Sequence, residues 1–305
     1  MIGVNFARIS KQMRSCTARA QWTLEDEVLS TVQEITEAGT SNFVQVGDLK
    51  IHYNEAGTGQ PLIVLHGGGP GASGWGNFGR NFAALSEEFR VLLIDHPNFG
   101  KSDAVVIKEP PPRFNARVIN DTMEALGIKR AHIMGNSMGG GTTLRMAIDW
   151  PERVDKMVVV SPSGGGPSIF TPQPSEHRKV IADVLKNPTA DGMRRLMNLV
   201  VYAGMELTDE ELDIRLKAAL QPDHLKGRQE SNVPAEDVLG DLPNIQTKTL
   251  IVWGRDDRAV PLDVGLRFLW GIPNSRLHVF SKCSHWPQFE HATEFNNLVK
   301  DFLNG

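Results

Sequence analysis

The sequence predicts an α/β fold in which a mostly parallel central β-sheet has helices on both faces and carries an inserted helical lid. Short apolar segments of strand length alternate with amphipathic segments of helix length, as expected for parallel strands joined by covering helices. This strand signal stops between Gly164 and Leu242, where three helix-like segments follow one another. We therefore predict one core domain interrupted by a helical segment.

The strand and helix segments can be assigned in order along the chain. Strands are predicted at residues 50–57, 61–67, 90–95, 130–135, 156–162, 248–254 and 276–282. Helices are predicted in the core at 81–89, 116–128, 139–150 and 293–305, and in the lid at 176–186, 191–202 and 208–221. The resulting domains are an N-terminal extension (1–41), the first part of the core (42–163), the helical lid (164–242) and the second part of the core (243–305).

The first 24 residues contain four basic and no acidic side chains. Transit peptides share this composition, but the segment lacks the apolar stretch of a secretory signal. We interpret it as an extension that precedes the folded domain.

Composition limits the classes of function. The 305 residues include 32 Lys and Arg against 36 Asp and Glu, a formal charge of −4, and they contain no long basic block and no apolar run of membrane-spanning length. Nucleic acid and membrane are therefore not expected as partners. Cys16 and Cys283 are far apart in sequence, so we expect no disulfide framework and a cytoplasmic protein. The histidines show no metal-ligand spacing, and we expect neither a metal nor another cofactor. We expect a small-molecule substrate and a homo-oligomer.

The central motif is Gly135-Asn136-Ser137-Met138-Gly139, which matches G-x-S-x-G between a predicted strand and a predicted helix. Glycines flank the serine because a sharp strand-to-helix turn leaves no room for side chains. A G-x-S-x-G match can arise by chance in a chain of this length. The alternative interpretation is an inert serine at the start of a glycine-rich helix. The strand–turn–helix context favours a nucleophile.

A serine hydroxyl needs a base, and that base needs a carboxylate to orient it. His285 follows the last predicted strand and is the preferred base, whereas His278 lies within that strand. Asp256 and Asp257 both follow the preceding strand, and the pattern alone does not separate these two adjacent aspartates. The order Ser, Asp, His along the chain is typical of an α/β-hydrolase triad.

A glycine run, HGGGPGASGW, follows the strand at 61–67. Glycines let backbone N–H groups approach a substrate without obstruction, and acyl chemistry needs such donors at the developing oxyanion. The expected donors are the N–H groups of Gly68 and Met138. A phosphate-binding loop is excluded because no G-K-[ST] follows the glycines.

Residues 42–305 resemble the meta-cleavage product hydrolases, carbon–carbon bond hydrolases of aromatic degradation. The resemblance rests on HGGGPGASGWGNFGRN, KSDAVV, GNSMGG, VPLDVGLRFL and RLHVFSKCSHWPQFEHATEFNNLVKDFL. Within this family, the sequence resembles the members that act on the ring-opened product of the biphenyl pathway. The resemblance implies hydrolysis of a 2-hydroxy-6-oxo-hexa-2,4-dienoate to 2-hydroxypenta-2,4-dienoate and a carboxylic acid such as benzoate.

The resemblance also implies roles for individual residues. The implied catalytic residues are Ser137, Asp257 and His285, and the implied substrate contacts are Gly68, Gly69, Asn77, Asn136, Arg215 and Trp286. Each contact has an alternative: Arg215 could pair with Glu211 one helical turn away, Trp286 could be core, and Asn77 could cap a helix.

Two departures from the family concern the substrate. Ala259 stands where biphenyl-type relatives often carry phenylalanine, and Met205 stands where relatives often carry a small polar residue. We expect Ala259 to border a widened pocket for the distal aryl group. A carboxylesterase or lactonase on the same fold is the alternative enzyme, and a binding protein on an inactive hydrolase scaffold is the alternative outside enzymes.

Overall fold

The computed structural model describes residues 35–231, 233–234 and 236–305. Most of the predicted N-terminal extension, residues 1–34, lies outside the described residues. A turn over residues 37–40 leads directly into the first strand of the sheet.

Eight strands form one sheet in the order β1-β2-β4-β3-β5-β6-β7-β8. They are β1 (Ser41–Val46), β2 (Leu49–Ala56), β3 (Pro61–Leu65), β4 (Arg90–Ile94), β5 (Ala131–Asn136), β6 (Val154–Val160), β7 (Lys248–Gly254) and β8 (Ser275–Phe280). The pairs β1–β2 and β2–β4 are antiparallel, and every pair from β4 to β8 is parallel. The carboxyl ends of β3, β5, β6, β7 and β8 therefore share one edge.

Helices connect the strands and cover the sheet. They are α1 (Gly74–Ser86), α2 (Pro111–Ala125), α3 (Met138–Asp149), α4 (Glu176–Lys186), α5 (Ala190–Val200), α6 (Asp209–Ala219), α7 (Pro222–Glu230), α8 (Leu262–Gly271), α9 (Pro287–Glu290) and α10 (Ala292–Asn304). Within the described residues, none of these helices is long and apolar enough to cross a membrane.

Alternating side chains of the strands build two separate apolar cores. In β3, Ile63 and Leu65 pack with residues of α2, α3 and α8, whereas Leu62 and Val64 pack with residues of α1 and α10 on the opposite face. Both faces of the parallel strands are buried, which is why these strands are continuous apolar runs in the sequence. The predicted α/β fold with helices on both faces is confirmed.

The helices α4 to α7 lie between β6 and β7 and form the helical lid. A third apolar cluster joins buried residues of α4, α5 and α6, among them Val184, Met193 and Leu212, to Trp286 and Phe289 of the core. Fully burying one such side chain stabilises the folded state by about 1.5–3 kcal/mol. The lid is thus held over the segment that follows β8.

Candidate active site

Ser137 occupies a strained turn between β5 and α3. Its backbone has φ 52° and ψ −112°, a conformation that costs a non-glycine residue about 1–3 kcal/mol. A Cβ atom at Gly135 would lie 2.2 Å from the carbonyl oxygen of Gly139, and one at Gly139 would lie 2.2 Å from that of Leu65. Both flanking glycines are therefore required, and the Ser137 N–H donates to the Val160 carbonyl over 2.9 Å. The turn presents the serine at the carboxyl edge of the sheet.

His285 and Asp257 form a buried pair behind this serine. Nδ1 of His285 lies 2.8 Å from Oδ2 of Asp257. The second carboxylate oxygen, Oδ1, accepts the backbone N–H groups of Ala259 at 2.8 Å and Val260 at 2.9 Å. Because Nδ1 is occupied, Nε2 is the ring nitrogen of His285 that remains for proton transfer.

The two adjacent aspartates have different environments. Asp256 is partly exposed and lies 3.3 Å from the guanidinium of Arg255, whereas Asp257 is buried against His285. The loop after β7 thus directs one carboxylate to the solvent and the other to the imidazole, a distinction that the sequence pattern leaves open.

His66 supports the glycine turn rather than the nucleophile. Its Nδ1 donates to the Gly67 carbonyl over 2.7 Å, and its Nε2 accepts the N–H of His96 over 3.0 Å. Burial lowers the pKa of His66, so the ring is neutral at neutral pH. Both nitrogens are engaged by backbone groups, which keeps the turn in place.

The two expected oxyanion donors lie side by side. A Cβ atom at Gly68 would lie 2.8 Å from Sδ and 3.2 Å from Cβ of Met138, so the two segments are in contact. In the described part of the chain, neither the Gly68 N–H nor the Met138 N–H has a hydrogen-bond acceptor. Both residues line the same cavity as Ser137.

Asn77 is not the cap of α1, because Ser73 caps that helix by accepting the N–H of Gly76 over 3.0 Å. The Oδ1 of Asn77 instead accepts the N–H of Gly67 over 3.1 Å. Its buried Nδ2 has no partner among the described residues. Asn77 therefore holds the glycine turn and keeps an amide group available to a ligand.

Asn136 ties the nucleophile turn to the histidine loop. Its Nδ2 donates to the carbonyls of Val160 and His285, both over 3.2 Å, while its buried Oδ1 has no partner among the described residues. Asn136 thus links the segments that carry Ser137 and His285.

Arg215 is a buried guanidinium on the lid helix α6. Its Cζ lies 5.3 Å from the centre of the Trp286 ring, and a Cβ atom at Gly69 would lie 2.9 Å from its Nη2. Arg215 makes no ion pair with any described residue, and its Nε has no acceptor there. Glu211, the alternative partner, lies 3.3 Å from Arg80 instead. Burial lowers the pKa of Arg215 to about 10, so the side chain stays protonated at neutral pH.

These residues surround one cavity of about 430 Å³ beneath the lid. The volume lies within the range of small-molecule sites. All the residues that the sequence predicts at the site except Asp257 line the cavity: Gly68, Gly69, Asn77, Asn136, Ser137, Met138, Arg215, His285 and Trp286. Trp286 lines the cavity and also packs against Phe289 at 5.6 Å between ring centres, so it belongs to the core as well, and its contact with the substrate stays a prediction.

Sequence reasoning missed three titratable residues of the cavity wall: His177, Arg178 and Glu236. The His177 ring centre lies 6.4 Å from that of His285. Burial, followed by the charge of His285, lowers the pKa of His177 to about 4. These positions lie in a polar helix start and in a loop, where no motif distinguishes them from solvent-exposed residues.

The prediction that Ala259 borders the pocket for the distal aryl group was wrong. Neither Ala259 nor Met205 lines the cavity. Ala259 contributes its backbone N–H to Asp257, because the turn after β7 folds back onto the carboxylate. In the described residues, no group of three His, Cys, Asp or Glu side chains is arranged to hold a metal ion.

Comparison with known proteins identifies the class. Residues 60–292 match the family model of the alpha/beta hydrolase fold, so the chain belongs to the α/β hydrolases. A meta-cleavage product hydrolase from Pseudomonas fluorescens has a TM-score of 0.78 and 32% sequence identity, over 86% of this chain and 97% of its own. Within the α/β hydrolases, this protein is a member of the meta-cleavage product hydrolases, as its motifs predict.

Two relatives support this placement. The chain is 46% identical over 281 residues to the 2-hydroxy-6-oxo-6-phenylhexa-2,4-dienoate hydrolase of Comamonas testosteroni, covering 88% of this chain and 98% of the relative. It is 44% identical over 279 residues to the 2-hydroxy-6-oxononadienedioate/2-hydroxy-6-oxononatrienedioate hydrolase of Paraburkholderia phymatum, covering 88% and 97%.

Proposed function

We propose that the protein hydrolyses the carbon–carbon bond beside the 6-oxo group of a 2-hydroxy-6-oxo-hexa-2,4-dienoate. The observation that carries the proposal is Arg215, a buried cation without an acidic partner among the described residues, in the same cavity as Ser137 and His285. An unpaired buried charge is costly, and a substrate carboxylate would offset that cost. The relatives named above support the same class of reaction.

Binding sets the position of the reacting bond. The planar guanidinium of Arg215 suits a carboxylate, and the Trp286 ring and Gly69 backbone lie beside it. A carboxylate held there fixes one end of the dienoate, while the opposite end extends past Ser137 and His285. Fixing both reactants in one orientation removes much of the entropic cost of their encounter.

The first chemical step is a proton shift in the substrate. A simple carbanion is a poor leaving group, so the 2-hydroxy dienoate first becomes its 2,6-dioxo form, in which the 2-oxo group accepts electrons through the conjugated chain. His285 moves this proton through Nε2, because Nδ1 is held by Asp257.

Cleavage follows by nucleophilic attack. Ser137 Oγ attacks the 6-oxo carbon as its proton passes to His285 Nε2, and the Gly68 and Met138 N–H groups stabilise the oxyanion. The C5–C6 bond breaks, its electron pair enters the dienolate, and the protonated product leaves as 2-hydroxypenta-2,4-dienoate. Water then hydrolyses the acyl ester on Ser137 and releases the carboxylic acid.

The distal group of the substrate is a separate question. One relative is named for a phenyl substituent and the other for a second carboxylate. A carboxylesterase from Bacillus subtilis shares the fold with a TM-score of 0.74, but at 24% identity it shows the fold alone. No observation at the site favours ester hydrolysis as the main activity.

Substitution of Arg215 tests the proposal. We expect Arg215→Gln to lower kcat/KM for a phenyl-substituted dienoate about 100-fold, and Arg215→Lys to lower it about tenfold because lysine lacks the two-pronged geometry. Loss of the yellow dienoate absorbance measures the reaction, and p-nitrophenyl acetate serves as a substrate without a carboxylate.

Arg195→Gln is the matched control, because Arg195 is an exposed lid arginine outside the cavity. An Arg215→Gln enzyme with undiminished dienoate turnover, or a wild type that hydrolyses only the ester, would overturn the proposal in favour of a carboxylesterase. A homo-oligomeric state and a cytoplasmic location stay predictions, the first of them open to size-exclusion chromatography with light scattering.

A further inference from the structure

A group of buried amide side chains connects α1 with the segment that follows His285, and it has no part in the mechanism described so far. Nδ2 of Asn81 on α1 donates to the Gln288 carbonyl over 2.9 Å and to Oδ1 of Asn296 over 2.8 Å. We call Asn81, Gln288 and Asn296 the buried amide cluster. The side chains of Asn81 and Gln288 are fully buried, and neither residue lines the cavity.

The buried amide cluster contains polar atoms without hydrogen-bond partners. Both amide atoms of Gln288, Nε2 and Oε1, and Oδ1 of Asn81 have no partner among the residues that the structure describes. Leaving such buried atoms unpaired is costly, and internal water is their usual partner. Because Gln288 offers both a donor and an acceptor, it suits water, which donates and accepts, rather than a cation or an anion. The cluster therefore has the chemistry of an internal water site.

Asn77 connects the buried amide cluster with the cavity. It lines the cavity and precedes Asn81 by one turn of α1, so the two side chains share a face of the helix with Cβ atoms about 5–6 Å apart. The buried Nδ2 of Asn77 also lacks a partner in the described part of the chain. One water with two hydrogen bonds of about 2.8 Å spans such a separation.

The polar atoms continue from Asn77 to the nucleophile. Oδ1 of Asn77 accepts the N–H of Gly67 over 3.1 Å. A Cβ atom at Gly67 would lie 3.1 Å from Oδ1 of Asn136 and 3.4 Å from Cβ of Ser137. Gly67 therefore brings the Asn77 amide close to the residue that would carry the acyl group. Oδ1 of Asn136 is a buried acceptor without a partner among the described residues, which complements the donor Nδ2 of Asn77.

Hydrolysis of the acyl ester on Ser137 consumes one water in each turnover. The lid helix α5 lines the cavity with Leu196, Met197 and Val200, whose apolar side chains offer a water no hydrogen bond. A water that passes from the buried amide cluster to the cavity instead meets amide groups at each step. The side of α1 is therefore the favoured direction for water to approach the ester.

We propose that the buried amide cluster stores and delivers the water that hydrolyses the acyl ester on Ser137. This inference rests on the proposed function, because it concerns the second half of that reaction. The water oxygen attacks the ester carbonyl carbon as one proton passes to Nε2 of His285. The bond from that carbon to Ser137 Oγ then breaks, Oγ takes the proton from His285, and the carboxylic acid leaves. A water from the cluster takes the place of the one consumed.

Gln288→Met tests the delivery step, because it removes the amide at nearly unchanged volume and breaks no side-chain hydrogen bond with any described residue. We expect the first turnover of a phenyl-substituted dienoate to stay within about threefold of the wild type, and steady-state kcat to fall about tenfold. Stopped-flow loss of the yellow absorbance should then show a burst of one dienoate per enzyme molecule, since ester hydrolysis has become rate-limiting.

Added methanol gives a readout that a purely structural role would not change. Methanol from the solvent competes with water for the acyl ester and forms a methyl ester in place of the free acid. Gln288→Met should raise the ratio of methyl ester to free acid about tenfold, because only the delivery of water is slowed. This ratio does not depend on the amount of active enzyme, and Gln288→Leu, which also lacks the amide, should behave alike.

Asn115→Leu is the matched control. Oδ1 of Asn115 is likewise buried without a partner in the described residues, but its helix α2 packs on the opposite face of the sheet and Asn115 does not line the cavity. The methyl ester ratio of this variant should equal that of the wild type. Circular dichroism checks that each variant is folded.

The outcomes separate the two proposals. Gln288→Met and Gln288→Leu enzymes with the wild-type ratio and no burst would refute water delivery by the cluster while carbon–carbon hydrolysis stands. Failure of the wild type to cleave the dienoate, with p-nitrophenyl acetate still hydrolysed, would refute the proposed function itself. The partition of the acetyl ester between methanol and water would then still test the water site.

Discussion

At the residue scale, the two carboxylate oxygens of Asp257 make different contacts. Oδ2 contacts Nδ1 of His285, and Oδ1 is fixed by the N–H groups of Ala259 and Val260. The carboxylate cannot rotate without breaking all three contacts, so it holds the imidazole in one orientation. The neighbouring Asp256 lacks this arrangement because its carboxylate faces Arg255.

Substitution of the two aspartates should therefore give different results. We expect Asp257→Asn to lower kcat by about 10⁴-fold, since an amide favours the wrong imidazole tautomer. Asp256→Asn should stay within about threefold of the wild type, because surface ion pairs contribute little. Steady-state turnover of a dienoate at pH 7.5 measures both. The reverse ranking would assign the catalytic carboxylate to Asp256.

At the scale of elements, close backbone packing presents the nucleophile. The start of α3 lies against the end of β3, where the N–H of Gly139 donates to the His66 carbonyl over 3.1 Å. The same contact leaves no room for a side chain at Gly139, whose Cβ would lie 2.2 Å from the Leu65 carbonyl oxygen. Strand, turn and helix thus position Ser137 together.

A methyl group at this contact should separate the two elements. We expect Gly139→Ala to lower the free energy of unfolding by about 3 kcal/mol, since overpacking against backbone is poorly relieved, and to abolish turnover. Gly240→Ala is the matched control, because nothing lies within 4 Å of its added Cβ. Urea denaturation measures both variants. Equal stability of the two would show that the turn can relax.

Some strands and helices can be predicted from the sequence and others cannot. Apolar strands from β3 onward and the amphipathic helix α4 were predicted because each has a clear period or a continuous apolar run. Four elements were missed: the helix α9 (Pro287–Glu290) is too short to show a period, and the other three lack a clear local signal. The edge strand β1 is mostly exposed, α7 has few apolar residues, and α8 is apolar on several sides. Packing against neighbours, rather than local pattern, determines their structure.

At the scale of the whole molecule, burial of uncharged histidines links stability to pH. Burial lowers the pKa values of His66, His96 and His177, the last to about 4. The unfolded chain binds protons at these groups near pH 6.5, while the folded protein does not. The free energy of unfolding therefore decreases as the pH falls from about 6.5 toward 4.

Replacement of His177 should remove part of this dependence. We expect His177→Gln to lose less stability than the wild type between pH 7.5 and pH 5, by on the order of 1 kcal/mol after allowance for its partial exposure. Urea denaturation at the two pH values measures the difference. Identical losses in both proteins would mean that His177 is accessible to protons in the folded state.

The sequence by itself determined the order of the strands from β2 onward, the position of the helical lid, the family, and the residue types at the nucleophile turn. Periodicity and glycine requirements are local properties, so the sequence shows them directly. Only the tertiary structure decided which aspartate contacts His285, that Arg215 is buried without an acidic partner among the described residues, and that Ala259 lies outside the cavity. These facts depend on contacts between segments far apart in the chain. Local pattern does not encode the distance between Asp257 and His285, whereas the packing of β7 beside β8 brings them to 2.8 Å.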